Sequence, residues 1–223
     1  MVEVRTYSLP PSKLMPNSPL PLLHYPGYLQ QNQIDCQPGK VFDLFSSNGW
    51  LVQWITRYAD TQDSHYHSAA HECMAVLSGH ATIRFGVADT TEDMEENTHG
   101  TGFEKGGIEV KANVGDVFVL PAGLAHKTFD TNPPHTFKQL LPGEGHFIKA
   151  DGGRETIANT ELSGFTMIGA YPVGSMWDFM IGGEHEGDFE KVWAVPLPGR
   201  DPVLGNSSQG VCGRWGRQKI AKL

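Results

Sequence analysis

Residues 65–79, HYHSAAHECMAVLSG, place several potential metal ligands at the start of an apolar run that ends in a Ser–Gly turn. In an extended chain, residues i and i+2 project to the same face, so His65 and His67 point the same way. Glu72 follows five residues later, where the apolar run begins. Two imidazoles and a carboxylate directed at one point form a nitrogen/oxygen site for a divalent transition metal. The segment therefore predicts a metal site beside a β-hairpin.

A second segment, residues 115–126, GDVFVLPAGLAH, supplies a fourth candidate ligand, His126. Its pattern predicts a turn, a buried strand over 117–120 and a Pro/Gly turn directly before the histidine. The interior of a β-barrel brings side chains from different strands within a few ångströms, so His126 can meet Glu72. Three imidazoles and one carboxylate leave two positions of an octahedral ion open, and Fe, Mn, Ni, Co and Zn all fit such a set.

Two polar residues lie beside these ligands, and the position of the first is ambiguous. His71 precedes Glu72 and points away from it on a regular strand, whereas a bulge before Glu72 would turn it inward. We therefore keep His71 as an alternate ligand. Lys127 follows His126 and is expected to face outward as a surface lysine in an ion pair.

These two segments resemble the two sequence motifs of the cupin superfamily. The first motif is H-x-H-x4-E-x6-G over residues 65–79, and the second is G-x5-P-x-G-x2-H over residues 115–126. A wider similarity, from about Phe45 to Trp215, is to the YjlB-like single-domain cupins. The resemblance implies a double-stranded β-helix, or jelly-roll, barrel with one divalent metal per chain, and it favours a homodimer. Dioxygenase, decarboxylase and isomerase chemistry all occur in cupins, so the resemblance supplies no reaction.

The composition agrees with an all-β domain. The chain has 26 glycines and 15 prolines among its 223 residues and few long helical repeats, which favours short strands and many turns. We predict an extended, Pro-rich arm over residues 1–44, a barrel over 45–180, and a short helix with a wrap-around tail over 181–223. The arm either packs on its own barrel or reaches a second subunit. Two insertions interrupt the barrel, namely an acidic, solvated loop at 86–107 and a long segment at 130–163.

Charge and hydropathy exclude several classes of partner. A net charge of −8 argues against nucleic-acid binding, which requires a basic face. No stretch approaches the roughly 18 apolar residues of a membrane span, and the N-terminus lacks a signal-peptide pattern. Three widely spaced cysteines match no zinc or disulfide framework. We therefore predict a cytoplasmic protein whose partner is a small molecule, with neither nucleic acid nor a membrane.

Strand alternation suggests which residues meet a substrate. Residues 50–58, WLVQWITRY, alternate in the manner of a half-buried strand that leads into the ligand loop, so one face can line the cavity. Residues that alternate with Glu72 likewise point inward and form an apolar wall. The candidate catalytic residues are Glu72 and Tyr58, and the candidate substrate-binding residues are Trp54, Met74 and Thr128.

Two functions are compatible with these residues. The first is a metal-dependent enzyme of dioxygenase, decarboxylase or isomerase type that acts on a small organic molecule. The second is a non-catalytic barrel that binds a metal or a metabolite. If the protein is an enzyme, we expect the metal site to open into a solvent-connected apolar pocket. If the metal is purely structural, we expect a closed, four-coordinate site.

Overall fold

The computed structural model describes residues 2–141 and 153–216, which form mainly antiparallel β-sheet. The strands are β1 (Arg5–Tyr7), β2 (Leu22–Tyr25), β3 (Trp50–Arg57), β4 (Glu72–Ser78), β5 (His80–Phe85), β6 (Ile108–Asn113), β7 (Val117–Leu120), β8 (His126–Asn132), β9 (Lys138–Gln139) and β10 (Thr166–Pro172). The helices are α1 (Tyr28–Gln31), α2 (Pro38–Ser47), α3 (Met94–Thr98), α4 (Gly153–Ala158), α5 (Phe189–Trp193) and α6 (Val211–Arg214). This architecture confirms the predicted all-β class with a short C-terminal helix.

Two sheets build the barrel. The larger has seven strands in the order β1-β2-β7-β4-β10-β3-β9, and the smaller has three in the order β6-β5-β8. An inner core combines side chains from both sheets, whereas an outer core packs the other face of the large sheet against α1, α2 and the C-terminal tail. The large sheet is therefore covered on both faces, which explains why its central strands carry apolar residues on both faces.

Alternation along β4 divides its residues between the two cores. Cys73 and Ala75 belong to the outer core, and Met74 and Val76 belong to the inner core. Glu72 begins the strand on the inner face, as the period of two requires. The pairing of β4 with β7 is regular from Glu72 to Ala75, so the first residues of the strand keep strict alternation.

A β-bulge in β3 corrects the alternation predicted for that strand. Gly169 pairs with Trp54 and Ala170 pairs with Val52, which leaves Gln53 as the extra residue. The bulge sends Val52 into the outer core and Trp54 into the inner core, although strict alternation places both on one face. Its Gln53 side chain donates from Nε2 to the Ser175 carbonyl at 2.9 Å.

The N-terminal segment is more structured than the predicted extended arm. It contributes β1 and β2 to the large sheet, through the pairing of β2 with β7, and then forms α1 and α2. Helix α2 starts at Pro38. Proline has no N–H, and this costs no helical hydrogen bond because the first N–H groups of a helix have no acceptor within it. Helix α2 packs Val41 and Phe45 into the outer core. The many prolines before Pro26 favoured the prediction of an extended chain, so these strands and helices were not predicted.

The acidic insertion contains a capped helix packed on the barrel, which corrects the prediction of a solvated loop. The Asp93 carboxylate caps α3 by accepting from the Glu95 amide at 2.9 Å. Arg84 donates to the carbonyls of Asn97 and Thr98 at 2.9 and 2.7 Å, so the C-terminal end of α3 is tied to β5. Some of the acidic residues therefore act in helix capping.

The second insertion and the tail add short elements around the barrel. Strand β9 and helix α4 lie within the predicted 130–163 insertion. Residues 142–152 of this insertion, which include His146, lie outside the described residues. Helix α5 lies where a short C-terminal helix was predicted. None of the described helices has both the length and the apolar character needed to cross a bilayer.

Candidate metal centre

Three histidines meet inside the barrel and form what we term the histidine cluster: His65, His67 and His126. The first two lie in the loop that enters β4, and His126 begins β8. The backbones of His65 and His126 are paired, since each amide donates to the other's carbonyl at 3.1 and 2.8 Å. All three rings are buried, and one potential ligand atom of each lies within 4.8 Å of the others.

The hydrogen bonds of the cluster select the tautomer that binds metals. The Nδ1 atoms of His65 and His126 lie 3.1 and 3.2 Å from the carbonyls of Asp63 and Leu124, and Nδ1 of His67 contacts the Asp178 carbonyl. A carbonyl only accepts, so each Nδ1 carries the proton when its ring is neutral. Each Nε2 is then left with a free lone pair, as in metal-ligating histidines oriented by a backbone acceptor. The cluster fits a transition-metal ion on this ground.

Glu72 borders the cluster and completes the predicted set. Its Oε1 lies 3.1 Å from His67 Nε2, and its Oε2 lies 3.3 Å from His126 Nε2. The carboxylate is 2% exposed, and Oε2 has no hydrogen-bond donor among the described residues. The Tyr171 hydroxyl donates to Oε1. A buried carboxylate oxygen without a donor suits a cation beside it.

Burial and mutual charge determine which rings are neutral. Burial, together with the two neighbouring rings, lowers the pKa of His65 well below its usual value, and burial lowers the pKa of His126 to about 4. Burial also acts against a charged His67, but the Glu72 carboxylate outweighs it and raises the pKa of that ring. The pKa of Glu72 is lowered instead. Burial acts to raise it, but the interactions with His67 and His126 outweigh burial. Two of the three rings are thus already in the neutral form that ligates a metal.

The cluster lies in a cavity of about 170 Å³ with strongly aromatic walls. Phe137 and Phe179 stand at its mouth with 58% and 48% of their surface exposed, so the cavity reaches solvent. His65 stacks on Phe179 with ring centroids 4.1 Å apart. Besides the histidine cluster and Glu72, the lining consists of Trp54, Thr56, Tyr58, Gln62, Phe137, Gln139, Tyr171, Trp177 and Phe179.

The predicted substrate-facing residues divide into two groups. Trp54 and Tyr58 line the cavity. Met74 and Thr128 are not among its lining residues, and Met74 is packed within the inner core. In contrast to the prediction, the structure does not place these two side chains against the cavity, because an inward-facing side chain can be covered by its neighbours.

His71 lies away from the cluster, and its assignment as an alternate ligand was wrong. Its Nδ1 accepts from the Ala122 amide at 2.9 Å, and its ring packs on Trp215 with centroids 4.9 Å apart. The regular start of β4 explains this position, since neighbouring residues of an unbulged strand face opposite sides. Burial lowers the pKa of His71 to about 4.

Lys127 also differs from its predicted surface position. Its side chain is 1% exposed, and Nζ lies 3.1 Å from both carboxylate oxygens of Asp89. Asp89 accepts in addition from the Ser64 amide at 2.9 Å. The Lys127–Asp89 ion pair connects β8 to the acidic insertion, and the Ser64 amide connects both to the loop that carries His65 and His67. Lys127 therefore stabilises the surroundings of the site from a buried position.

Residues 171–180 supply functional contacts that the sequence patterns did not reveal. Tyr171 binds Glu72 and accepts from Trp54 Nε1 at 2.9 Å. The Asp178 carbonyl orients His67, while its carboxylate accepts from the Ser68 amide at 2.6 Å. Alternation along β10 was a usable signal for Tyr171, whereas the backbone acceptor at Asp178 carries no side-chain signature.

Comparisons with known proteins agree with this geometry. The cupin family model matches residues 63–139, which contain the histidine cluster and Glu72. "Uncharacterized protein YjlB" of Bacillus subtilis (strain 168) is 26% identical over 206 residues, covering 91% of this chain and 92% of that protein.

Partial matches among solved structures include two larger proteins. The oxalate decarboxylase–formate complex of Lactobacillus farciminis has a TM-score of 0.30 at 11% identity, over 58% of this chain and 27% of that one. Vicilin from Capsicum annuum has a TM-score of 0.32 at 12% identity, over 78% of this chain and 32% of that one. The chain thus spans about a third or less of either structure's length. The family match and the similarity to YjlB support a YjlB-like cupin, and the buried three-histidine group within the matched region suggests a metal ion.

Proposed function

We propose that the protein is a metal-dependent enzyme that acts on a small organic molecule. One divalent transition metal, drawn from Fe, Mn, Ni, Co and Zn, is held by the histidine cluster and Glu72. The observation that carries the proposal is the position of the cluster, which faces an aromatic cavity open to solvent. A structural metal site is closed and four-coordinate, whereas a catalytic site keeps a position for substrate.

The reaction is of dioxygenase, decarboxylase or isomerase type. When bound, the ion supplies Lewis-acid polarisation of a substrate oxygen, or redox chemistry if it is iron. Tyr58 supplies a hydrogen-bond donor to the substrate, because burial and the nearby Glu72 raise its pKa well above the usual value and keep the phenol protonated. Tyr171 orients the Glu72 carboxylate in the same way.

A non-catalytic metal- or metabolite-binding barrel is the second candidate. It is favoured by the small number of proton-transfer groups around the cavity. Among the described lining residues, the two phenols that accompany Glu72 and the histidine cluster, Tyr58 and Tyr171, are both held protonated. A group that neither gains nor loses a proton near neutral pH is a poor general base.

Metal content tests the centre. The tag-free protein is purified and its metals are measured per monomer by inductively coupled plasma mass spectrometry. We expect about one equivalent of metal per monomer in the wild type and near none in His67→Ala, because the ion then loses one of its four protein ligands. His80→Ala is the matched control, since His80 is exposed in the hairpin and its imidazole contacts the Asn132 side chain rather than the cluster. Unchanged metal in His67→Ala would refute the centre.

Turnover separates the two functions. Metal-loaded protein is incubated with small carboxylic, enolic and phenolic acids, and products are followed by mass spectrometry together with oxygen uptake. Multiple turnovers that disappear in Glu72→Gln support the enzyme. Saturable binding with no product under any metal supports the binding barrel.

A further inference from the structure

The cavity wall carries very little charge. Among the described residues, its lining contains Glu72 and the histidine cluster but no lysine and no arginine. Arg57, on the strand that lines the cavity, is engaged elsewhere: its Nε donates to the Thr136 carbonyl at 2.9 Å and its Nη1 to Ser163 Oγ at 3.0 Å. The metal is therefore the sole source of positive charge for a ligand in this part of the structure.

The charge of the loaded centre follows from its ligands. A divalent ion carries two positive charges, a ligating carboxylate removes one, and ligating histidines are neutral. The centre with Glu72 bound thus has a net charge of about +1. A monoanionic ligand makes it neutral. A dianion leaves one negative charge beside uncharged, mostly aromatic walls that offer it no cation, which is unfavourable.

The shape and the walls restrict the ligand further. A volume of about 170 Å³ corresponds to roughly six water molecules at about 30 Å³ each, enough for one ring and its substituents. Aromatic walls favour planar, apolar ligands that stack or meet them edge-on. Thr56, Gln62 and Gln139 supply neutral hydrogen-bonding groups. The exposed edges of Phe137 and Phe179 at the mouth offer apolar surface for a ligand to cover.

We infer that the substrate is a small planar organic monoanion, such as an aromatic or enolic acid with one ionised oxygen beside a second donor oxygen. Dicarboxylates, phosphate esters and sugars are disfavoured by the same site. This inference rests on the metal centre proposed above, and it specifies the substrate class of that centre.

Cobalt-loaded protein allows the inference to be tested without turnover. Its visible absorption is titrated at neutral pH with salicylate, phthalate and lactate. Salicylate is an aromatic monoanion, phthalate an aromatic dianion and lactate an aliphatic monoanion, so the set separates charge from aromaticity. We expect salicylate to bind at least about tenfold more tightly than either of the others. Equal or tighter binding of phthalate or lactate overturns the inference.

A variant with an added cation tests the charge argument directly. Gln62→Lys places an ammonium group on the cavity wall, and Gln62→Met is its neutral control of similar length. We expect Gln62→Lys to bind phthalate roughly tenfold more tightly than Gln62→Met does, with little change for salicylate. Gln139→Lys, on the exposed edge strand β9, repeats the test if the first variant folds poorly.

The outcomes distinguish this inference from the proposed function. Failure of the wild type to retain cobalt refutes the metal centre. Retention of cobalt with a preference for dianions, or with no response to either added lysine, refutes the substrate class alone.

Discussion

Replacing Tyr171 with phenylalanine removes a single oxygen atom from the centre of the site. That oxygen donates to Glu72 Oε1 and accepts from Trp54 Nε1 at 2.9 Å. The ring itself is fully buried in the inner core, and phenylalanine keeps its shape. The substitution therefore isolates the hydrogen bonds from the packing.

The magnitude can be estimated from the two bonds. A hydrogen bond to a charged group contributes about 1.5–3 kcal/mol, and an orphaned buried donor costs about 1–3 kcal/mol. The bond from Trp54 Nε1 to Tyr171 is buried, so both losses contribute. We expect the free energy of unfolding of the metal-free protein to fall by about 3 kcal/mol. We also expect metal affinity to fall roughly 10- to 100-fold, as for other groups that orient a ligand.

Two measurements check this prediction. Guanidinium denaturation of the metal-free protein, followed by tryptophan fluorescence, gives the stability, and competition with a chromophoric chelator gives the metal affinity. Tyr66→Phe is the matched control, because its hydroxyl bonds to His185 Nδ1 at 2.7 Å and not to the carboxylate. Wild-type metal affinity in Tyr171→Phe, or an equal loss in both variants, would show that Tyr171 does not orient Glu72.

Two further predictions concern buried ionisable groups outside the histidine cluster. Lys127→Met should lower the free energy of unfolding by about 2–3 kcal/mol, since it leaves Asp89 without its cation. In denaturant melts, the double variant Lys127→Met/Asp89→Asn should recover most of this loss. No recovery would contradict the pairing. The fold lowers the pKa of His71 from 6.5 to about 4, so the unfolded chain binds a proton first as pH falls. The stability that neutral His71 contributes is full above pH 6.5 and is lost towards pH 4, an effect of about 3 kcal/mol. Metal-free His71→Asn should therefore show a shallower loss of stability with acid, and an unchanged slope would refute this.

Local pattern was sufficient for the strands and for most of the ligands. Alternation and turn residues predicted β3, β4 and β7 to within about two residues of their ends, because a strand's period is set by its own backbone. The same period placed His65 and His67 on one face and turned Glu72 inward. The sequence alone thus determined which side chains could meet a metal.

The tertiary structure decided which of these side chains reach the cavity. The bulge at Gln53 separates Val52 from Trp54, and it arises from pairing with β10 rather than from β3 itself. Lys127 is buried because a carboxylate from the acidic insertion lies against it. The contacts of Tyr171 with Glu72 and of the Asp178 carbonyl with His67 join segments about a hundred residues apart. Such long-range contacts depend on how the sheets close on each other, which no local period of the sequence specifies.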